Sequence, residues 1–181
     1  MQAGTQDGCC PIVRVVVPYV RLHPLAALGS AERHFVGDND LSYYWLLRSY
    51  WEHGETFIIV EQDIELGPQT IHDLSRCREP YCTVPYVGPG TLLENALGCA
   101  KFDAVLLGHY PHLIAERLPQ PVTWHMLDAL VNTAIRSVNV EPHLHRPSVL
   151  HHHVYDGQCA CGTDHPLFPV DNDGRYTKGA G

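Results

Sequence analysis

The chain has 181 residues, of which 45% are hydrophobic and 18% charged. That size and balance suit one globular domain with a sizeable core. A formal net charge of −8 excludes a general nucleic-acid or anionic-membrane surface, which needs a basic patch. It leaves room for a local basic pocket that holds a diphosphate.

No apolar run approaches the length of a membrane span. The N-terminus lacks a basic region followed by an apolar core, so no signal peptide and a cytoplasmic location are expected. The seven cysteines are then expected as reduced thiols, not a disulfide framework. Cys159 and Cys161 form a C-x-C pair able to supply two of the four ligands that a structural zinc needs. The thirteen histidines include the run His151-His152-His153.

In chain order, residues 1–10 read as a loose arm. Ile12 to Val17 is a β-branched run that predicts a first buried strand, ended by Pro18. Tyr19 to Asp40 carries Pro24, Gly29 and Gly37 and predicts a loop with one short helix. Asp38 or Asp40 is placed to cap a helix whose apolar face holds Leu41, Tyr44, Trp45 and Trp51, with Gly54 as its stop. Trp45 and Trp51 read as core, and Arg48 on the same face packs its stem while its tip reaches water. Thr56 to Val60 predicts the second strand. Pro68 marks a short helix through Ile71 and Leu74. Cys82 to Val87 predicts a third strand, at a sheet edge because of Pro85, and broken by Gly88-Pro89-Gly90. Leu92 to Cys99 reads as helical or irregular. A helix is expected through Leu113 and Arg117, and a clearer one after Thr123, with Trp124, Leu127, Val131, Ala134 and Val138 at helical spacing. Val149-Leu150 predicts a last short strand. Residues 1–155 are expected to form the domain and 156–181 a Gly/Pro/Asp-rich tail. The pattern implies a single-domain α/β fold, an open mixed sheet flanked by helices.

The chemistry gathers at Phe57-Ile58-Ile59-Val60-Glu61-Gln62-Asp63-Ile64-Glu65. Four apolar residues read as a buried strand. If the chain stays extended beyond them, Asp63 and Glu65 point to one side. Paired carboxylates at the carboxyl end of such a strand suit a hard cation such as Mg²⁺ or Mn²⁺, at the edge where open α/β sheets place ligands. The same residues also read as solvated turn positions before a helix. No G-x-G-x-x-G follows the first strand and there is no P-loop, against a dinucleotide oxidoreductase or a P-loop kinase.

Val15-Val16-Val17-Pro18-Tyr19 resembles the opening strand of GT-A fold glycosyltransferases, the nucleotide-diphospho-sugar transferases. Asp63-Ile64-Glu65 resembles their D-x-D signature. Trp124-His125-Met126-Leu127-Asp128, then His143, His145 and Val149 to His153, look like small single-domain members from actinobacteria and their phages. The resemblance spans Val13 to His153. It implies a Mn²⁺ or Mg²⁺ ion bridging the carboxylates and the diphosphate of a UDP- or GDP-sugar, with a hydroxyl on a protein or glycan as acceptor. It implies Asp63 and Glu65 as metal ligands, completed by a late histidine, His153 first and His151 second. Pro18, Tyr19, Arg21 and Asp63 would meet the donor; Arg21 and His23 also read as plain loop residues. Asp128, one helical turn after Trp124, would be the general base if the reaction inverts, or else a carboxylate favoured by a helix N-terminus. Lys101 and Asp103 fall in a stretch resembling an acceptor-side loop. The chain departs from the family in having D-x-E for D-x-D and in lacking the usual later acceptor-binding extension. Two other readings are a metal-dependent hydrolase using Asp63 and the histidines, and a non-enzymatic zinc-binding interaction module using Cys159, Cys161, His151 and His153.

Overall fold

The computed structural model describes residues 13–20, 30–67, 69–88, 91–94, 96–146, 149–151, 154–155 and 158–159. The strands are β1 (Arg14–Tyr19), β2 (Glu32–Phe35), β3 (Phe57–Val60), β4 (Ile64–Glu65), β5 (Tyr81–Thr83), β6 (Tyr86–Gly88), β7 (Thr91–Leu93), β8 (Cys99–Phe102), β9 (His143–Leu144), β10 (Val149–His151), β11 (Val154–Tyr155) and β12 (Gln158–Cys159). The helices are α1 (Ser42–His53), α2 (Thr70–Arg76), α3 (Ala104–His109), α4 (Leu113–Arg117) and α5 (Trp124–Arg136).

Six strands form one mixed sheet in the order β2-β1-β3-β8-β5-β9. β1 runs parallel to β2 and β3, β8 is antiparallel to β3 and β5, and β9 is parallel to β5. A second sheet has the order β4-β10-β6-β7, and β11 pairs with β12 across the boundary expected at residue 155. The fold is therefore α/β, an open mixed sheet flanked by helices.

Side chains alternate across a strand, and the sheet is apolar on both faces. Val16, Phe57, Ile59, Tyr81, Ala100 and Phe102 face a core shared with α1, α3, α4 and α5. Val17, Ile58, Val60, Cys82 and Cys99 face the opposite core, which α2 closes with Leu74 and Ile71. On the first face Phe102 is ringed by Phe57 at 5.0 Å, Tyr81 at 5.2 Å and Trp51 at 5.6 Å between centroids. The indole of Trp51 donates to the carbonyl of Tyr110, so its polar edge is satisfied.

Several expectations are corrected. β1 runs through Pro18 to Tyr19 instead of stopping at Val17. The expected loop from Tyr19 to Asp40 contains β2. Its Glu-Arg-His-Phe sequence lacks apolar alternation, and a tertiary contact holds it. Arg14 donates twice to Glu32, at 2.6 and 2.7 Å, and the Tyr50 hydroxyl donates to the same carboxylate at 2.8 Å. The Arg14 bonds hold the Glu32 carboxyl down at about 2, against the opposing cost of burial.

Helix α1 forms as expected and stops at Gly54, whose φ of 77° is the left-handed value glycine accepts. Neither Asp38 nor Asp40 caps it: Leu41 occupies that position without a side-chain cap bond, and the Asn39 side chain accepts from the Leu41 amide. Trp51 is core but Trp45 is half-exposed, lying under the Arg48 guanidinium. The buried stripe runs instead through Tyr43, Tyr44, Leu47, Tyr50 and Trp51. The third predicted strand divides at Val84-Pro85 into β5 and β6, which enter different sheets. β5 is therefore interior, and Pro85 lies between strands where no ladder bond is lost. Leu92 to Cys99 begins in β7 and ends in β8.

The ring of aromatics around Phe102 makes a direct prediction. Phe102→Ala should lower the unfolding free energy in urea by about 3–5 kcal/mol. A loss below about 1 kcal/mol would show that this contact set does not organise the core.

Candidate functional site

Strand order reverses at β1, which has β2 on one side and β3 on the other. Such a reversal opens a crevice at the carboxyl ends of the parallel strands. Here those ends are Tyr19-Val20 and Val60-Glu61. A bond from the Val20 amide to Gln62 Oε1, 2.9 Å, ties them together.

The chain does not stay extended past β3. Gln62 and Asp63 form a turn, closed by the Ile64 amide donating to the Glu61 carbonyl at 3.1 Å. Strand alternation therefore does not put Asp63 and Glu65 on one side. Glu65 is exposed and belongs to β4 in the second sheet, whereas Asp63 lies in the turn, part-exposed.

The carboxylate most affected by this geometry is Glu61. Its amide donates to the Gly98 carbonyl at 2.8 Å, and its Oε1 accepts from the Tyr43 hydroxyl at 3.1 Å. Its carboxyl is pushed well above the usual range, first by removal from water and then by the negative charges of Asp128 and Asp63. Three carboxylates thus share one neighbourhood: Glu61 after β3, Asp63 in the turn, and Asp128 from α5. Asp128 also bears on the buried Tyr81, whose hydroxyl is raised chiefly by burial and then by that charge. Tyr81 donates to Asn132 Oδ1 at 2.8 Å, and Asn132 Nδ2 donates to the Asp128 carbonyl at 2.8 Å. This chain of bonds fixes the α5 turn carrying Asp128 against the sheet.

Sequence reasoning passed over Glu61. A signal existed, since Glu61 is the first polar residue after four buried apolar ones, at the carboxyl end of a strand. The D-x-E pattern drew attention to Asp63 and Glu65, two and four residues further along.

The other expected residues fall as follows. Pro18 is buried within β1, and Tyr19 at its end is part-buried, with its ring 5.7 Å from that of Phe35. Trp124, 50% exposed, opens α5 one turn before Asp128. His151 lies in β10 directly opposite Ile64, and Leu150 opposite Glu65. The pairing of β10 with β4 thus brings the backbone of His151 beside the acidic stretch. Arg21, His23, His153 and Cys161 lie outside the described residues. Cys159 is in β12, paired with Val154. Lys101 is not in a loop: it is fully buried in β8, and Asp103 caps α3 by accepting from the Val105 amide. His143 and His145 lie away from the acids, beside Cys77 and Cys82 at the far edge of the main sheet. Among the described residues no helix is long and apolar enough to cross a membrane.

Chemically, three carboxylates drawn partly out of water favour a cation or a proton. They attract hard divalent ions, and an ion of this kind that also binds substrate phosphates needs only one or two protein carboxylates.

No protein-family model matches the chain, and no curated protein matches it. Among solved structures, the chain is similar to the crystal structure of a glycosyltransferase involved in the glycosylation of the major capsid of PBCV-1. The TM-score is 0.48 and the identity 12%, over 78% of this chain and 94% of that one.

The crowding of Glu61 has a pH signature. A carboxyl raised in the folded state contributes stability that is complete below its ordinary value of 4.5. That contribution is lost as pH rises through the folded value. Without added divalent cation, Glu61→Gln should therefore melt at a higher temperature than the parent at pH 7.5. Near pH 4, where Glu61 is already protonated, the two should converge. Equal melting temperatures at both pH values would contradict the acid neighbourhood.

Proposed function

We propose that the chain is a metal-dependent glycosyltransferase of the GT-A type, moving a sugar from a UDP- or GDP-sugar to a hydroxyl acceptor on a protein or glycan. The observation that carries this reading is the convergence of Asp63, Glu61 and Asp128 at the carboxyl ends of β1 and β3, where the strand order reverses.

The donor set fits the expected cation. Carboxylates are hard oxygen ligands suited to Mn²⁺ or Mg²⁺, and their mutual repulsion, felt at Glu61, is relieved by a positive charge between them. Asp63 is the ligand we assign first. Glu65, His151 and His153 stay in the proposal as further candidates; of the two histidines, His151 lies in β10, which runs beside β4 with His151 opposite Ile64. When bound, the cation supplies Lewis-acid stabilisation of the charge that develops on the departing diphosphate.

The protein's own groups do the rest. The end of β1, with Tyr19 and the Val20 amide, borders the donor side. The exposed ring of Trp124 offers an apolar face to a sugar, and Asp128 one turn later offers a carboxylate to its hydroxyl. In the inverting course, the acceptor oxygen bonds to the anomeric carbon as the bond from that carbon to the phosphate oxygen breaks. The acceptor proton passes to Asp128.

The test combines binding and turnover. Melting temperature is measured with UDP, GDP and their sugars, with and without Mn²⁺. Nucleotide and metal together should stabilise the chain, by about 2.7 kcal/mol at 100 times the dissociation constant, and neither alone should match this. Asp63→Ala should abolish the joint effect. Asp128→Asn should keep it while slowing release of the nucleoside diphosphate by about 10²–10⁴-fold. No joint shift with any nucleotide, or an undiminished shift in Asp63→Ala, would overturn the proposal.

A further inference from the structure

Away from the acids, four soft ligands converge. One ligand atom each from Cys77, Cys82, His143 and His145 lies within 4.8 Å of all the others. Cys77 Sγ is 3.3 Å from Cys82 Sγ and 3.3 Å from His143 Nδ1. The two imidazole rings are 4.7 Å apart, edge to face. A tetrahedron of two thiolates and two imidazoles around zinc, with bonds of about 2.3 and 2.0–2.1 Å, separates its donors by about 3.3–3.8 Å. The group is already close to that size.

Three elements build it, each for a local reason. Cys77 follows the last residue of α2, and its amide donates to the carbonyls of Asp73 and Leu74. Cys82 is in β5 on the α2 side of the sheet. β9 pairs with β5 in parallel, with Cys82 opposite His143. His145 follows in extended continuation, its amide donating to the Thr83 carbonyl at 2.9 Å. Strand alternation therefore puts both histidines on the side of Cys82. The C-x4-C spacing falls within the range of structural zinc ligands; the H-x-H pair is its counterpart on a strand.

One further observation points to a ligand. The Nε2 atom of His145 is buried with no hydrogen-bond partner, a costly state for an imidazole nitrogen unless something else bonds the ring. Beside the cluster the fully buried Lys101, in register with Cys82, donates to the Cys77 carbonyl at 2.5 Å. Burial raises the Cys82 thiol above its ordinary value, and the Lys101 ammonium opposes that rise.

We propose that Cys77, Cys82, His143 and His145 form a structural zinc site. Binding exchanges two thiol protons for one Zn²⁺, so the occupied centre is neutral. Four protein ligands leave no open position, which marks the site as structural and not catalytic. Its mechanical role follows from its attachments. The seven residues of α2 are too few for a stable isolated helix, and the metal would pin the end of that helix to β5 and β9. The site is independent of the acids and of the transferase reading.

The full chain is purified without chelator and its metal content measured. About one zinc per chain is expected. After zinc is removed, Co²⁺ should give the intense visible bands of a tetrahedral ion with thiolate-to-cobalt charge transfer. His143→Gln changes an exposed residue and should fold, with its zinc affinity reduced more than about 100-fold, beyond the cost of losing an outer-shell partner. Cys77→Ser should behave alike. The double variant Cys159→Ser/Cys161→Ser and the variant Asp63→Ala should each keep the zinc. Three results would overturn the proposal: no zinc as isolated or after loading, zinc retained in both His143→Gln and Cys77→Ser, or a Cys77–Cys82 disulfide in place of the metal.

Discussion

The structure depends on the burial of β3 from both sides. Phe57 and Ile59 point into one core, Ile58 and Val60 into the other, and all four are essentially inaccessible. A strand so placed cannot carry a polar side chain along its length without a cost of several kcal/mol. The first polar group must wait until the strand ends. That rule, acting on a parallel neighbour as well, concentrates Tyr19, Glu61, Gln62 and Asp63 at one edge. The edge is polar because the interior is not, and strand order reverses there.

The two faces of the sheet then serve different ends. On one face the aromatic set around Phe102 supports α5, and the Tyr81–Asn132–Asp128 bonds position a carboxylate of that helix near the acidic edge. On the other face α2 covers a smaller core. α2 is short, is uncapped by a side chain at its N-terminus, and leads directly into Cys77 of the thiol and imidazole cluster. A hollow of ≈ 270 Å³ between Gly67, Thr70, Asp73 and His145 separates the start of α2 from that cluster.

Legibility in the sequence followed the range of the interactions involved. α1 and α5 were readable because helical periodicity and the Gly54 stop are local. β3 was readable because four apolar residues in succession admit few alternatives. β2 was not, since Glu32 is held by Arg14 and Tyr50, both 18 residues away in sequence. Val84-Pro85 looked like the interior of one strand because periodicity does not report which sheet a segment joins. Glu61 was passed over because its character comes first from burial and then from Asp128 on a distant helix and Asp63 in the turn, none of which spacing reports. Cys77, Cys82, His143 and His145 were all visible as residues. What joins them is the parallel register of β5 with β9, across 61 positions from Cys82 to His143, and no spacing rule reaches that far.

On the two proposals together, the fold keeps the thiolate site apart from the acidic edge, and that separation has a chemical reason. Divalent affinity generally rises from manganese toward zinc, so a closed cage of thiolate and imidazole holds zinc firmly. A transferase requires the opposite at its donor edge, an ion that arrives with the diphosphate and leaves with it. Protein ligands there that leave the ion's shell incomplete keep the resting affinity low, because the phosphate oxygens complete it. Placing two thiolates and two imidazoles in a closed group on the other face gives zinc a site with no vacancy for substrate. Each ion is then selected by donor type and by the number of positions left open.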